Sequence, residues 1–395
     1  MRSKLYLAPG KDKAVMRRHP WIFSGAVRKC VGKPEEGDIV DVYGADGTWL
    51  AAGHYQDESI VCKVLSFDTP DVDPEEHPEF WRERVHQAVE YRRRLGFFAE
   101  GMSATNVFRL VHAEGDFLPG LVADYYNGVL VFQAHSVGMH KVFPLLTRLF
   151  CEELPLKSVF DKSSTTLPGG GAEDRYIWGE EPQEWEICED GNRLLINFFE
   201  GQKTGFFVDQ RENRHLVSTL AQGRRVLNCF GYTGGFSLGA LRGGADYVET
   251  VDISKKAIEL CNRNVALNFG AEAQHKGVVA DVLQYLDTVS DQFDVIILDP
   301  PAFAKSHRNL QQGLKGYRNI NQKAMEKIRP GGLLLTFSCS QAVSRDDFQT
   351  MCFTAAANAH RKVRIVRQLP HAADHPVSIY HPEGEYLKGL LLYVE

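Results

Sequence analysis

The sequence of 395 residues lacks several patterns that would define a class at once. No run approaches the roughly 18 consecutive apolar residues of a membrane span, and the initial MRSKLYLAPGKDK has no signal-peptide core. The eight cysteines form no CxxC pair and no Cys/His spacing typical of zinc sites. We therefore expect a cytoplasmic protein with reduced thiols, no membrane partner and no metal.

The chain also lacks an overall excess of positive charge. Its net charge of −6 argues against a protein that coats nucleic acid, although a local basic patch stays open. Basic residues cluster in KDKAVMRRHPW and in WRERVHQAVEYRRRLGF, which contains Arg82, Arg84 and Arg92 to Arg94. For either cluster alone, a solvated helix face is the favoured interpretation.

The chain contains three consecutive stretches that differ in their pattern of apolar residues. The length of the chain also predicts two or three domains. Residues 1–70 contain short alternating strands such as GDIVDVY and SIVCKVLSF, which predict a small β-barrel. Residues 71–200 predict a central α+β domain, with a helix that ends near Gly96, a second helix in GMHKVFPLLTRLFCEEL, and hairpins at Asn127-Gly128 and Asp190-Gly191. Residues 201–395 alternate apolar strands with helices, which predicts an α/β domain with a parallel, doubly wound sheet.

Such sheets bind ligands at the carboxyl ends of their strands. The first predicted strand of residues 201–395 ends in NCFGYTGG, and the second ends in Asp252, twenty-one residues after Gly231. An acidic side chain at that distance suits a ribose. The spacing GYTGG differs from the GxGxxG turn that holds a pyrophosphate, and it favours an adenosine without phosphates, as in S-adenosylmethionine (SAM). A nicotinamide cofactor stays the less favoured alternative.

Further residues at successive strand ends complete a predicted cofactor cleft. Asp281 follows the third strand and suits the adenine amino group, and GQKTGFFVDQRENR precedes the sheet and is expected to close over the cofactor. For each residue alone, an ordinary turn or cap explains the sequence equally well. The predicted cofactor residues are Lys203, Gly205, Phe207, Arg211, Asn228, Tyr232, Gly234, Asp252, Ile253, Asp281, Val282 and Pro300.

The fourth strand ends in Asp299-Pro-Pro-Ala-Phe303. Two prolines cannot extend a central strand, so the chain must turn and present Asp299 and main-chain carbonyls to the cleft. Phe303 can stack on a flat ring, and with Pro301 it is a predicted substrate residue. This set suits a planar nitrogenous substrate, whereas a purely structural turn is the alternative.

Cys339 ends the fifth strand, in GLLLTFSCS, beside Asp299. By residue type alone a cysteine on a strand is more often a buried space-filler. Its place at a strand end next to the Asp299 turn favours a nucleophile instead. The flanking Ser338 and Ser340 are better suited to orienting the thiol than to reacting.

These blocks together resemble the RlmI-type bacterial 23S rRNA cytosine-C5 methyltransferases over essentially the whole chain. The matching blocks are RRHPWIFSGAV, RLVHAEGDFLPGLVADYYNG, GQKTGFFVDQRENR, LNCFGYTGGFSLGAL, FDVIILDPPAFAKS, GYRNINQKAM, LLLTFSCS and ADHPVSIYHPEGEYLKG. The resemblance implies an N-terminal PUA domain that binds RNA, a central α+β domain and a Rossmann-like class I methyltransferase domain. It also implies SAM as methyl donor, ribosomal RNA as substrate and Cys339 as nucleophile.

The chemistry of that family explains why a thiol is needed. Carbon 5 of cytosine is too weak a nucleophile to take a sulfonium methyl group, so a thiolate first adds to carbon 6. Asp299 could hold the ring near N3, and the thiol needs local activation because its ordinary pKa is about 8.5. The sequence identifies no base for the carbon-5 proton.

The sequence departs from related enzymes at two places. Many RNA cytosine-C5 methyltransferases carry a second cysteine after the Pro-Pro turn, but Ala302 stands here, as a non-cysteine does in the RlmI-like group. The block QAVSRDD after Cys339 differs from the GLM of close members. The nucleotide that is modified is therefore less firmly predicted than the methyl donor.

Two other functions stay open at this point. DPPAF also resembles the motif of methyltransferases that act on exocyclic amines and need no thiol, and a non-catalytic RNA-binding assembly factor could retain the same fold. His375 and Lys388 are expected near the pocket, although loop or strand-edge roles explain them equally well. The sequence leaves a homodimer open.

Overall fold

The computed structural model of the protein describes residues 2–98, 105–290, 292–304 and 306–395. Lys305, within the predicted block FDVIILDPPAFAKS, lies outside these residues. The chain forms two units. The first comprises Met1–Ile187, Ile196–Val208 and Ala373–Gly384, and the second comprises Cys188–Leu195, Asp209–Ala372 and Glu385–Glu395. The domain boundaries that we place near residues 70 and 200 stay a prediction.

The first unit begins with a six-stranded sheet. Its elements are β1 (Ser3–Leu7), α1 (Lys13–Met16), β2 (Trp21–Phe23), β3 (Val27–Val31), β4 (Ile39–Tyr43), β5 (Trp49–Tyr55) and β6 (Ile60–Ser66). The strands lie in the order β2-β6-β5-β4-β1-β3. Val40 and Val42 alternate with less buried neighbours in β4 and pack with Leu5, Leu7 and Val64 in one core. The alternation in the sequence therefore places one face of this strand in the core.

A five-stranded sheet with helices forms the rest of the first unit. Its elements are α2 (Pro78–Arg94), β7 (Val107–His112), β8 (Leu121–Tyr126), β9 (Val129–Ala134), α3 (Val137–Lys141), α4 (Phe143–Glu153), β10 (Ser158–Asp161) and β11 (Arg175–Gly179). The order is β11-β10-β9-β8-β7. Asn127 and Gly128 have φ of 48° and 95° and join Tyr126 to its partner Val129. The predicted hairpin at Asn127-Gly128 is confirmed.

The second predicted hairpin is also present. Strands β12 (Trp185–Glu189) and β13 (Asn192–Ile196) pair around Asp190-Gly191, whose φ values are 49° and 77°. The tip of this hairpin belongs to the second unit, where Arg214 donates to both carboxylate oxygens of Glu189 at 2.5 and 2.6 Å.

The second unit is a seven-stranded α/β sheet. Its elements are α5 (Arg211–Leu220), β14 (Arg225–Cys229), α6 (Gly235–Arg242), β15 (Tyr247–Asp252), α7 (Lys255–Phe269), β16 (His275–Val279), α8 (Val282–Thr288), β17 (Val295–Leu298), α9 (Leu310–Lys327), β18 (Gly332–Ser338), α10 (Arg345–Asn358), β19 (Val363–Leu369) and β20 (Lys388–Val394). The order is β16-β15-β14-β17-β18-β20-β19, and β20 runs antiparallel to both neighbours. The predicted Rossmann-like α/β class is confirmed, but the expectation of a wholly parallel sheet is wrong for β20. A parallel connection needs a long crossover, usually a helix, and no α-helix lies between β19 and β20 among the described residues.

Both faces of this sheet are buried. In β17, Ile296 and Leu298 pack into one apolar cluster, and Val295 and Ile297 pack into another. The parallel strands end in register, with Val251, Cys229, Leu298 and Thr336 side by side. The residues that follow these strands therefore meet at one edge of the sheet. None of the helices in the described ranges is long and apolar enough to cross a membrane.

Candidate active site

The turn after β14 is tight because neighbouring elements approach its main chain closely. A Cβ on Gly231 would lie 2.3 Å from Cγ2 of Thr250, and one on Gly234, whose φ is 86°, would lie 2.5 Å from Sγ of Cys261. Asn228 is fully buried and donates to Oγ of Ser237 at 2.9 Å. These contacts fix the main chain from Asn228 to Gly234 at the edge of the sheet.

Asp252, at the end of β15, joins this turn to the next helix. Its Oδ2 accepts from the main-chain N–H of Tyr232 at 3.0 Å, and its Oδ1 accepts from Ser254 at 2.8 Å. Each carboxylate oxygen has a further lone pair, and Ile253 beside it leaves 72% of its surface in solvent. The Asp252 carboxylate can accept hydrogen bonds from hydroxyl groups, which fits the ribose of SAM. The exposed apolar side chain of Ile253 next to it fits the adenine.

Asp281 has a structural task that explains its place in the sequence. Its Oδ1 accepts from the main-chain N–H of Gln284 at 3.0 Å and caps α8. Val282, the first residue of that helix, is buried. The capping role that the sequence left open for Asp281 is thus present, and a role of either residue at an adenine ring stays a prediction.

Asp299 follows β17 and is oriented from the start of α5. Its Oδ1 accepts from Nε2 of Gln210 at 3.0 Å, and Oε1 of Gln210 accepts from Nδ2 of Asn213 at 2.6 Å. We did not identify Gln210 from the sequence, although it stands in the block GQKTGFFVDQRENR. The contact joins residues 89 positions apart, which no local pattern reveals.

The Pro-Pro turn is attached to the end of β18 by two hydroxyl groups. The hydroxyls of Tyr317 and Ser340 are 2.8 Å apart, and Ser340 Oγ also accepts from the N–H of Ala304 at 3.1 Å. The ring of Phe303 packs on Tyr317 with centroids 4.7 Å apart. Pro300 is buried and Pro301 is exposed. Tyr317, in the block GYRNINQKAM, is a second residue that the sequence analysis missed.

Cys339 is partly buried directly after β18. Its Sγ lies 4.0 Å from the carbonyl oxygen of Pro300, so the thiol and the Pro-Pro turn are neighbours. Ser338 Oγ accepts from the N–H of Ser340 at 3.3 Å. Both serines that flank the thiol therefore hold main-chain or turn atoms, and a role of either hydroxyl in orienting the thiol stays a prediction.

The ammonium group of Lys388 also lies at the end of β18. It pairs with Ser338 across β18 and β20, and its Nζ donates to the carbonyl oxygens of Ser340 and Tyr386, both at 2.6 Å. Burial lowers the pKa of Lys388 to about 8, although attraction to Cys339 acts in the opposite direction. The same attraction favours the thiolate form of Cys339, and the thiolate is the nucleophilic form of any cysteine.

The remaining predicted residues lie elsewhere along the chain. Arg211 is buried as the first residue of α5. Lys203, Gly205 and Phe207 belong to the first unit, where Nζ of Lys203 lies 4.4 Å from the centroid of the Phe207 ring. His375 also belongs to the first unit, and its Nδ1 lies 3.0 Å from Oδ1 of Asp374. The roles that we predict for these residues at a cofactor or a pocket stay predictions.

Comparison with known proteins identifies the family. The model of the S-adenosylmethionine-dependent methyltransferases matches residues 169–378, and that of the PUA-like domain matches residues 5–67. The chain is 39% identical over 404 residues to ribosomal RNA large subunit methyltransferase I of Aeromonas hydrophila, with 99% of each chain covered. The protein of the same name from Serratia proteamaculans is 38% identical, with 98% of each covered.

The chain belongs to the ribosomal RNA large subunit methyltransferase I family. It is therefore an S-adenosylmethionine-dependent methyltransferase with an N-terminal PUA-like domain, and the family resemblance stated from the sequence is confirmed.

Solved structures agree on the fold. A Streptococcus mutans protein assigned to the SAM-dependent methyltransferases has a TM-score of 0.83 with 21% identity, and all of both chains is covered. A methyltransferase-like structure complexed with SAH reaches 0.85, also at 21% identity and full coverage. At this identity the likeness concerns the fold, and it agrees with the fold of this family.

Proposed function

We propose that this chain methylates carbon 5 of a cytosine in ribosomal RNA of the large subunit, with Cys339 as the covalent nucleophile. The observation that carries the proposal is the partly buried thiol of Cys339 next to Pro300 and beside Lys388, at the edge of the sheet where Asp252 and Asp299 also lie. The name of the 38–39% identical relatives, ribosomal RNA large subunit methyltransferase I, supports ribosomal RNA as the substrate.

SAM supplies the methyl group when it is bound. Asp252 would accept from its ribose hydroxyls, and the exposed side chain of Ile253 would cover one face of the adenine. The main chain of the turn through Tyr232 and Gly234 would hold the amino-acid part, because this turn is fixed by close contacts with Thr250 and Cys261. We propose that the other residues predicted from the sequence to bind the cofactor also contribute to binding SAM.

Cys339 performs the covalent step in this proposal. Its thiolate attacks carbon 6 of the cytosine and forms an S–C bond, which makes carbon 5 electron-rich enough to accept the methyl group. The carbon-5 proton then leaves to water, and the electron pair of that C–H bond re-forms the ring double bond as the S–C bond breaks. The Lys388 ammonium favours the thiolate both before attack and after release.

Asp299 positions the base in the same step. Negative charge moves toward N3 as the adduct forms, so a group at N3 must supply or share a proton. The hydrogen bond from Gln210 holds one carboxylate oxygen of Asp299 in place, and we propose that this oriented carboxyl group serves the base. Phe303, packed on Tyr317, is proposed to contact the ring of the cytosine.

Product analysis tests this proposal. The protein is incubated with labelled SAM and with ribosomal RNA made by transcription, and the RNA is digested to nucleosides for mass spectrometry. We expect 5-methylcytidine, and we expect RNA affinity to fall steeply with salt because phosphate contacts dominate such binding.

Two outcomes would contradict the proposal in different ways. A methyl group on an exocyclic amine would favour the amine methyltransferase that DPPAF also resembles. SAM binding without transfer to any RNA would favour the non-catalytic assembly factor.

A further inference from the structure

Three blocks of the family resemblance contribute residues to a second place in the structure, outside the candidate active site. They are RRHPWIFSGAV, RLVHAEGDFLPGLVADYYNG and ADHPVSIYHPEGEYLKG. In the first unit all three contribute to the wall of one cavity of about 220 Å³, through Arg18, Phe117 and Tyr380 among others. Arg84 of α2 completes the wall.

Arg84 is held as a cation between aromatic rings. Its guanidinium carbon lies 5.2 Å from the ring centroid of Phe80 and 5.6 Å from that of Phe117. Within the described ranges its N–H groups have no hydrogen bond and no ion pair. Burial lowers the pKa of Arg84 below its usual value, which indicates that the cation has lost part of its hydration. Its donors are therefore available to a ligand in the cavity.

Phe117 is exposed although its backbone is firmly held. It leaves 49% of its surface in solvent and has φ of 56°, a left-handed conformation that is rare for a bulky residue. The preceding Asp116 is fixed by the buried Arg92, at 2.9 Å, and by the N–H of His112, at 2.6 Å. Strain of this kind persists where the surroundings impose it, and it is frequent at ligand sites.

The cavity also contains carboxylates. Oε1 of Glu114 accepts from Nε1 of Trp21 at 2.9 Å, and Arg18 donates to both oxygens of Asp68, at 2.6 and 3.0 Å. Donors, acceptors and an aromatic face thus surround one small space. Its volume is below the roughly 300–1,000 Å³ of sites for drug-sized ligands, so it suits a single ring system.

We propose that this cavity binds one unpaired nucleotide of the RNA substrate, with the base against Phe117 and the guanidinium of Arg84 against the base or its phosphate. Nucleic-acid bases stack on aromatic rings and on arginine planes, and their edges present both donors and acceptors. The proposal rests on the RNA substrate of the proposed function. The residues Arg84, Glu114 and Phe117 lie outside residues 5–67, which match the PUA-like domain, so the site extends beyond that domain.

Equilibrium binding of a short single-stranded RNA to the full chain tests this site. Arg84→Gln and Tyr380→Ser should each weaken binding, by roughly 5- to 150-fold where a stacked base is lost. The matched control is Arg82→Gln, on the same helix, because the exposed Arg82 pairs with Glu152 and does not line the cavity. It removes the same charge and should bind RNA nearly as well as the wild type. Tyr380 is 45% exposed, so its replacement should leave folding intact.

Photo-cross-linking gives a direct readout of the contact. RNA that contains 4-thiouridine should cross-link to the peptide with Phe117 or to the peptide with Tyr380. Equal affinities for Arg84→Gln, Tyr380→Ser and Arg82→Gln, with cross-links elsewhere, would overturn the site. Methyl transfer by the wild type is measured separately, so a protein that binds RNA here without transferring methyl groups would contradict the proposed function and support the cavity.

Discussion

The ammonium of Lys388 lies 2.6 Å from the carbonyl oxygen of Ser340, the residue directly after Cys339. A buried lysine normally loses its proton more easily, and here the pKa falls to about 8. Lys388 therefore stays mostly charged at neutral pH, and attraction to Cys339 raises its pKa against the effect of burial. The charge that favours the Cys339 thiolate is thus itself sensitive to pH.

Replacement of Lys388 should alter the pH dependence of methyl transfer. Lys388 is charged below its pKa of about 8 and becomes neutral as the pH rises through that value. We expect the wild-type rate to decline above about pH 8, and we expect Lys388→Met to be slower at pH 7 and to lack this decline. Single-turnover rates between pH 6 and 9 check this, with the exposed Lys362→Met as control. An unchanged profile in Lys388→Met would remove Lys388 from the mechanism.

Asp252→Ala should weaken SAM binding. The change removes the acceptor of the Tyr232 and Ser254 N–H groups and the proposed partner of the ribose. A hydrogen bond to a charged group contributes about 1.5–3 kcal/mol, so we expect a Kd roughly 10- to 150-fold higher by calorimetry. Asp246→Ala, at an exposed position before β15, should bind normally. Equal affinities of the two variants would place the ribose elsewhere.

Gly234→Ala should destabilise the second unit more than Gly223→Ala does. Both glycines have positive φ, 86° and 67°, but a Cβ at Gly234 would meet Cys261 at 2.5 Å, whereas Gly223 has nothing within 4 Å. The comparison separates the steric clash at Gly234 from the cost of a positive φ, which both variants carry. We expect an additional loss of about 1–3 kcal/mol in the free energy of unfolding, measured in urea. Similar losses at both sites would mean that the turn can relax.

Asp299→Asn should reduce catalysis while leaving SAM affinity unchanged. The variant keeps the shape and an oxygen for Gln210, but it loses the charge that is proposed to serve the base near N3. We expect kcat to fall by about 10²-fold or more, as for other groups that handle protons. Gln210→Leu keeps the charge of Asp299 and removes its hydrogen-bond donor together with the acceptor of Asn213, so the loss in kcat should be smaller. If Asp299→Asn retains the wild-type kcat, the carboxylate has no role in the chemistry.

Local features of the fold could be predicted from the sequence, whereas distant contacts could not. The Asn127-Gly128 hairpin follows from two residues that tolerate positive φ, and Cys339 was located because apolar strands end where polar residues begin. The antiparallel direction of β20 depends on the path of the chain between β19 and β20. No residue pattern within either strand predicts that direction.

The same limit applies within the site. Gln210 reaches Asp299 across 89 positions, and no local pattern predicts this contact. Lys388 was expected near the pocket, but its place beside Cys339 depends on its pairing with Ser338 in the sheet. Asp281 illustrates a different limit. Its side chain caps α8, and the sequence alone cannot distinguish a helix cap from a ligand contact.

A trapped covalent complex tests the central claim most directly. Large-subunit ribosomal RNA that contains 5-fluorocytosine has no carbon-5 proton to lose, so the adduct with the enzyme should persist after methyl transfer. We predict a cross-linked peptide in which mass spectrometry places the modified cytosine on Cys339, and we predict its absence in Cys339→Ala, with the exposed Cys30→Ala as control. An adduct on another residue, or full methyl transfer by Cys339→Ala, would contradict the account.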